Sequence, residues 1–251
     1  MPSEKGNPVS RTVNSVDHAL RLLACLADSP EPRNVADLAR ALELPRPTVY
    51  RLLATLIEHR LVVRDATRYR LGLRLLELGG SALGAANLDA AAQPHLRELA
   101  RRTGETAHFA VLDGREVCYV SKVDGAHPIR MLSHVGWRGP LHATAVGKVL
   151  LAWSGPALLE QVMQDQRKAH TARTLVAAKP LRQEVEKTRA AGWAIDDQEL
   201  LDGLVCLAAP VLAGDRLVGA MSVSGPAVRM ADRSATAERV MAAAREMGAA
   251  M

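Results

Sequence analysis

Cysteine is scarce in this chain, and so are aromatic rings and long apolar runs. Only Cys25, Cys118 and Cys206 occur, none within a CxxC pair. That excludes a disulfide framework and a thiolate zinc site and points to a reducing compartment. The eight histidines are scattered, with no H-x-x-x-H pair, so a metal hydrolase has no ligand set to start from. Three Trp, three Tyr and one Phe provide no stacking platform that would mark an aromatic ligand. No apolar stretch approaches the ~20 residues that a membrane span needs, and the opening MPSEKGNPVSRTV lacks the apolar core of a signal peptide. These absences predict a cytosolic protein with no metal, no cofactor and no membrane partner.

What is present is a core and a local charge. Of the 251 residues, 48% are hydrophobic, enough to build a small domain and a medium one. The net charge of +5 is modest, but it sits in one place. Between Arg46 and Arg74, Arg46, Arg51, Arg60, Arg64, Arg68, Arg70 and Arg74 face only Glu58 and Asp65, so this segment carries the whole excess. A positive field confined to a short segment is the footprint of phosphate binding, with affinity that falls steeply as salt rises.

The same segment has the pattern of a DNA-reading head. In residues 34–71 two short helical patterns flank the turn ALELPRPT, and a pair of strand-like runs follows at once, as in a helix-turn-helix with a β-wing. The second helix is expected to start near Arg46 with Pro47 in its first turn. Val49, Leu52, Leu53, Leu56 and Ile57 then recur on an apolar face. The opposite side carries Arg46, Thr48, Tyr50, Arg51, Ala54 and Thr55, which can pair with phosphates, hydrogen-bond base edges and touch a thymine methyl. The wing adds Arg64, Arg68 and Arg70. Arg46, Thr48, Tyr50, Arg51, Thr55, Arg64, Arg68 and Arg70 are therefore the candidate DNA-contacting residues.

In chain order, residues 1–13 read as a disordered tail. Asn14 or Ser15 is expected to cap a first helix whose face is Val16, Leu20, Leu23 and Ala27, and Asn34 to cap the next, with Leu38 and Leu42 inward. Residues 14–72 form the head and 73–88 a linker helix. Residues 89–251 alternate strands and helices. A hairpin is expected around Asp113-Gly114, a third strand over 129–135, and helices after Thr144, Ser154 and Thr174. Two long strands and a final helix from about Asp232 to Gly248 close the chain. The reading is an α+β chain whose second domain has a mixed, largely antiparallel sheet with helices on its faces.

PTVYRLLATL, YRLGLRLLELG, LHATAVGKVLLA, GWAIDDQELLDGLVCLAAPV and GAMSVSGP occur in this order from the head to the end. In this the sequence resembles the IclR family of bacterial transcription regulators, over about Asn14 to Met230. It departs from the family pattern at Glu43, where glycine is common, and at Pro47, where serine is common. The resemblance implies a winged helix-turn-helix joined by a linker helix to a GAF-like α/β effector-binding domain. It also implies a dimer or tetramer on pseudo-palindromic operator DNA, and a small carboxylic-acid effector. The family's pocket falls here on Met131, Ala145, Val146, Asp196, Leu204, Cys206, Ser222 and Ser224.

Each position has a physical reason to be there beside a plainer one, since Ser222 and Ser224 can satisfy neighbouring strands, Cys206 can be a buried small hydrophobe and Asp196 can cap a turn. A helix opening after Thr144 has unpaired N–H groups and a positive dipole end, and Ala143, Ala145 and Gly147 are small enough to let a carboxylate approach them. Ser222 and Ser224, two apart on a strand, point to one side, and Asp196 can accept from a ligand hydroxyl, an N–H or a water. Met131, Leu204 and Cys206 supply an apolar wall. Lys148 and Glu199 also match family positions, which an internal ion pair explains as well as ligand contact does.

Two rival functions are weaker. GAMSVSG resembles the G-x-S-x-G nucleophile elbow, but that motif needs glycine at Ala220 or at Ser222. A ligand-independent architectural DNA-binding protein would have no use for the second domain. The expectation is a ligand-responsive regulator, a repressor of a catabolic or metabolic operon, and not an enzyme.

Overall fold

The computed structural model describes residues 12–83, 88–127 and 133–251. It divides into two compact units, Met1–Ala85 and Ala86–Met251. The tail expected over 1–13 lies almost wholly outside the described residues, as does most of the strand expected over 129–135. The described end of that strand, Ser133–Val135, is not extended and enters a turn.

The first unit is a helix-turn-helix with a wing. It comprises α1 (Asn14–Ala27), β1 (Arg33–Asn34), α2 (Val35–Leu42), α3 (Arg46–Glu58), β2 (Val62–Asp65), β3 (Arg68–Leu71) and α4 (Arg74–Leu83). Leu22 and Leu26 of α1 meet Leu38 and Leu42 of α2, Val49, Leu53 and Leu56 of α3, and Val62 and Tyr69 of the wing in one core. The wing is antiparallel in the order β1-β3-β2, with Asp65 opposite Arg68 across a two-residue turn. Asn34 caps α2 through its side-chain oxygen, which accepts from the Asp37 N–H. Pro47 sits in the first turn of α3, where it removes no helical hydrogen bond.

The first helix differs from expectation in two respects. Its N-cap is Val13, with no side-chain cap, and Asn14 and Ser15 lie inside the helix. The buried face is Leu22 and Leu26, with Ala19 and Leu23 beside them, whereas Val16 and Leu20 are 55% and 61% exposed. Apolar residues cover so much of this helix that two neighbouring stripes satisfy the 3.6 period, and only packing selects one.

Glu43 ends α2 in the left-handed region at φ 56°, its N–H donating to the Ala39 and Arg40 carbonyls. A residue with a Cβ carries a penalty there that glycine does not. Glu43→Gly is expected to stabilise this unit by up to about 1 kcal/mol, read from the urea midpoint. A lowered midpoint would show that the glutamate side chain earns its position by a contact.

The second unit is a six-stranded sheet with helices on both faces. It contains α5 (Leu88–Thr103), β4 (Thr106–Asp113), β5 (Glu116–Val123), β6 (Arg138–Pro140), α6 (Ala145–Trp153), α7 (Pro156–Gln164) and α8 (Ala178–Ala191). After these come β7 (Ala194–Asp197), β8 (Leu204–Ala213), β9 (Arg216–Pro226) and α9 (Arg233–Ala249). The order is β6-β5-β4-β9-β8-β7. Every pairing among the described strands is antiparallel, where a mixed sheet was expected. Strands β8 and β9, ten and eleven residues long, form its centre. Neither Ser154 nor Thr174 is the N-cap of the helix that follows it. Gly155 precedes α7 and Ala177 precedes α8, both without a side-chain cap.

The side-chain period of two sorts the sheet into two faces. Leu204, Cys206, Ala208 and Ala220 share a core with Ala145, Val146, Val149 and Leu150 of α6. The other face carries Phe109 and its partner Ser121, whose hydroxyl accepts from Gln93 of α5. The candidate effector residues Leu204 and Cys206 therefore belong to the α6 face.

Candidate functional site

On the head, α3 presents Arg46, Tyr50, Arg51, Ala54 and Thr55 to solvent, with Thr48 half-buried. Its start and the wing form a shallow groove of about 240 Å³, lined by Asn34, Arg46, Tyr50, Arg64, Thr67 and Tyr69 among others. Arg46, Tyr50 and Arg64 are thus brought together. Arg64 is steadied by donating from Nε to the Ala66 carbonyl at 2.7 Å, and Thr55 donates to the Arg51 carbonyl at 3.2 Å. Arg70 is exposed on β3. Arg68 is set apart, lining a separate groove beside Pro32 and Arg33 and donating to the Pro32 carbonyl at 3.0 Å.

In the second unit the register builds a polar row. Asp196 on β7 lies opposite Cys206 on β8, which lies opposite Ser224 on β9, which lies opposite Thr106 on β4. One step along, Ala208 faces Ser222 and Ser222 faces His108. Residues directly opposite, and residues two apart, share a face. Asp196, Leu204, Cys206, Ser222, Ser224 and His108 therefore all lie on the α6 side of the sheet, with Ala145 and Val146 at the helix start. All of them are buried. Met131 lies outside the described residues.

The start of α6 leaves backbone donors unpaired within the helix. Thr144 caps α6, its hydroxyl accepting from the Gly147 N–H at 3.0 Å and donating to the Pro140 carbonyl at 2.8 Å. The Ala145 and Val146 N–H groups come too early in the helix to have an intrahelical acceptor. Gly147 serves packing, contrary to expectation. A Cβ there would stand 2.4 Å from the Leu141 carbonyl oxygen and 2.6 Å from Thr144 Oγ1, so the absent side chain lets the preceding segment close over the helix.

Electrostatics divides the row. Asp196 Oδ1 accepts from the Glu199 and Leu200 N–H groups at 2.7 and 3.3 Å, while Oδ2 is buried without a partner. Burial above all, then the nearby Glu199 carboxylate, pushes Asp196 up to about 7. Burial, with Asp196 beside it, raises the Cys206 thiol well above its ordinary range, so the residue behaves as an apolar wall and not as a nucleophile. Ser224 Oγ has no hydrogen-bond partner among the described residues.

Behind the row, Lys148 of α6 is fully buried. It donates from Nζ to Glu199 Oε1 at 2.5 Å and to the Ile195 carbonyl at 2.7 Å. Of the two readings the sequence left open, the structure has the ion pair. The residue that sequence reasoning missed is His108. Its only signal is alternation along AHFAVLD, and the face to which alternation assigns it is settled by pairing with β9, more than a hundred residues away.

The comparisons decide the identity. Residues 15–66 match the family model of the IclR helix-turn-helix domain, and residues 80–249 match the bacterial transcriptional regulator IclR C-terminal domain. The chain belongs to the IclR family. XynR, a helix-turn-helix transcriptional regulator of Escherichia coli K12, is 35% identical over 224 residues, which are 88% of this chain and 89% of that one. The glycerol operon regulatory protein of Streptomyces griseus is 35% identical over 246 residues, 97% of this chain and 96% of its own. Among solved structures, a transcriptional regulator from Rhodococcus sp. RHA1 superposes with a TM-score of 0.78 at 32% identity, covering 94% of this chain and 97% of that one. An IclR homologue of Microbacterium hydrocarbonoxydans, solved with 4-hydroxybenzoate, shares the fold with a TM-score of 0.83 at 24% identity, covering 93% and 97%.

IclR-family proteins are DNA-binding transcriptional regulators and not enzymes. No helix among the described residues is long and apolar enough to cross a membrane.

Proposed function

We propose that this IclR-family chain represses a catabolic or metabolic operon and that a small carboxylic acid in its second unit alters operator binding. The observation that carries the effector reading is Ser224 Oγ, buried and unpartnered on the α6 face of the sheet, across from Cys206 and one strand further from Asp196. A carboxylate held by the α6 start, Ser222 and Ser224 would satisfy it, with Leu204 and Cys206 as the apolar wall. The Microbacterium homologue, with its bound aromatic hydroxy acid, supports an acid as the ligand class.

In this reading residues 14–72 are the DNA-binding head, 73–88 the linker and 89–251 the effector domain. Arg46, Thr48, Tyr50, Arg51 and Thr55 on α3 read a half-site, and Arg64, Arg68 and Arg70 hold the backbone around it. Val16 and Leu20 on α1, and Leu73, Leu76 and Leu78 at α4, are large apolar side chains more than half exposed in the single chain. Their burial against a second copy would place two heads on half-sites about one helical turn, ~34 Å, apart. The ligand would act by its differential affinity for two arrangements of the heads.

The test is a mobility shift on the DNA flanking the chain's own gene, at two salt concentrations, with and without a panel of carboxylic acids. Arg51→Ala is expected to weaken operator binding about tenfold and to flatten its salt dependence. The Ser222→Ala/Ser224→Ala double variant should bind DNA as before and lose the response to acid. Unchanged DNA binding in the first variant would remove α3 from the interface. A surviving acid response in the second would place the effector elsewhere.

A further inference from the structure

Five buried side-chain polar atoms have no hydrogen-bond partner among the described residues. Three of them, Asp196 Oδ2, Ser224 Oγ and His108 Nδ1, lie on the α6 face of the sheet, and a buried polar atom left unsatisfied is costly. The effector reading already uses two. His108 is the third.

His108 is 1% exposed and firmly held. Its Nε2 is 2.7 Å from Ser133 Oγ, and its ring stands edge-on to Tyr119 with centroids 5.1 Å apart. Burial first, then the nearby Lys122 ammonium, holds the imidazole down to about 3, so the ring is neutral. Lys122 is itself engaged, donating to the Ser133 carbonyl and pairing with Asp124. The ring's far nitrogen is left without a protein partner on the face where the ligand lies.

We propose that His108 is a ligand-binding, specificity-determining residue, and that the effector is a polyhydroxylated carboxylic acid whose separate hydroxyls meet Asp196 Oδ2 and His108 Nδ1. This rests on the effector reading above, in which the carboxylate occupies the α6 start. The chemistry of the two flanking groups selects hydroxyls. Asp196, lifted to about 7, alternates near neutral pH between a carboxylate that accepts and a carboxyl that donates, and a hydroxyl answers either form. The neutral imidazole either donates or accepts at Nδ1, according to which way the Ser133 hydroxyl points, and a hydroxyl answers both. A ligand cation would meet repulsion from Lys122. Strands β7 and β4 are three strand spacings apart, about 14 Å, so an acid of two or three carbons cannot reach both groups. A monohydroxylated aromatic acid can satisfy one of them and leaves the other bare.

Calorimetric titration of the full chain tests this, with aldonic acids of about four to six carbons as probes and hexanoate and 4-hydroxybenzoate as controls. At least one aldonic acid should bind more tightly than either control. His108→Phe, which keeps a ring against Tyr119, should weaken that acid about tenfold or more and leave hexanoate unchanged. His108→Gln, which restores a polar atom, should recover part of the loss. Equal aldonic-acid affinity in His108→Phe and the unaltered chain overturns the inference, and so does a panel in which no aldonic acid outbinds the controls. The Ser222→Ala/Ser224→Ala variant separates the two levels. If it loses every acid while His108→Phe loses none, the site stands and the role of His108 falls. If it keeps them all, the effector reading itself has failed.

Discussion

Lys148→Met is expected to destabilise the second unit by about 3–5 kcal/mol, the cost of leaving one member of a buried ion pair without its counter-charge. Lys148 has no exposed surface, and its ammonium answers Glu199 Oε1. Burial first, with the Glu184 carboxylate adding to it, raises Glu199, and Lys148 is the largest influence opposing that rise. Without it the carboxyl must take up a proton or draw in water. Most of the loss should return in the double variant Lys148→Met/Glu199→Leu, which removes both charges, and urea denaturation of the four proteins in the cycle measures the coupling. A single-variant loss below about 1 kcal/mol would mean that the pair behaves as a solvated one.

The structural stake in that pair is the turn after β7. Glu199 donates its N–H to Asp196 Oδ1, and its carbonyl accepts from Thr174 at 2.6 Å and Thr171 at 3.3 Å. Lys148 ties this turn to the same helix whose first N–H groups hold the carboxylate in the proposed effector reading. Loosening the pair should therefore lower ligand affinity as well as stability.

Asp196→Asn should act in the opposite sense on stability, and only above a certain pH. Burial lifts the carboxyl from its ordinary 3.8 to about 7 in the folded chain. The folded state thus binds this proton more tightly than the unfolded chain does. The associated stabilisation is complete below about pH 4 and is lost as the pH rises through about 7. Asparagine carries no charge at any of these values and keeps an oxygen for the Glu199 and Leu200 N–H groups. At pH 8 the variant should be more stable by up to about 4 kcal/mol, from about 1.36 kcal/mol per tenfold change in proton affinity, and near pH 4 the difference should vanish. Melting curves at pH 4, 6 and 8 check the sign. A gain that did not grow with pH would show that Asp196 is not the titrating group. The same variant should respond poorly to ligand, since an amide that only donates replaces Oδ2, which accepts while ionised.

What the sequence disclosed was local. The caps at Asn34 and Thr144, the first-turn Pro47 and the hairpin at Gly114 are each set by a few neighbouring residues, and the structure has all of them. The face of α1 was misjudged because two stripes fit one period. Strand β7 was passed over because Ala-Ile-Asp-Asp, half of it carboxylates, carries little strand preference of its own and is held by pairing with β8. Serines 222 and 224 could be placed on one side from their spacing alone. That His108 shares that side could not be read, since it depends on a register between β4 and β9 that no local pattern specifies. Gly147 illustrates the converse, a small residue near a site whose purpose is to admit another stretch of backbone.

The sheet also ends on its two shortest strands, β6 with three residues and β7 with four, while its ten- and eleven-residue strands lie inside. Both rims carry salt bridges: Arg138 on β6 with Asp113 and Glu116, and Asp197 on β7 with Arg173 and Arg233. An uncovered sheet edge is where the strand of a neighbouring molecule could add itself. Short, charged rims give a neighbouring sheet little backbone to zip onto, so crowding of this unit favours no runaway strand pairing.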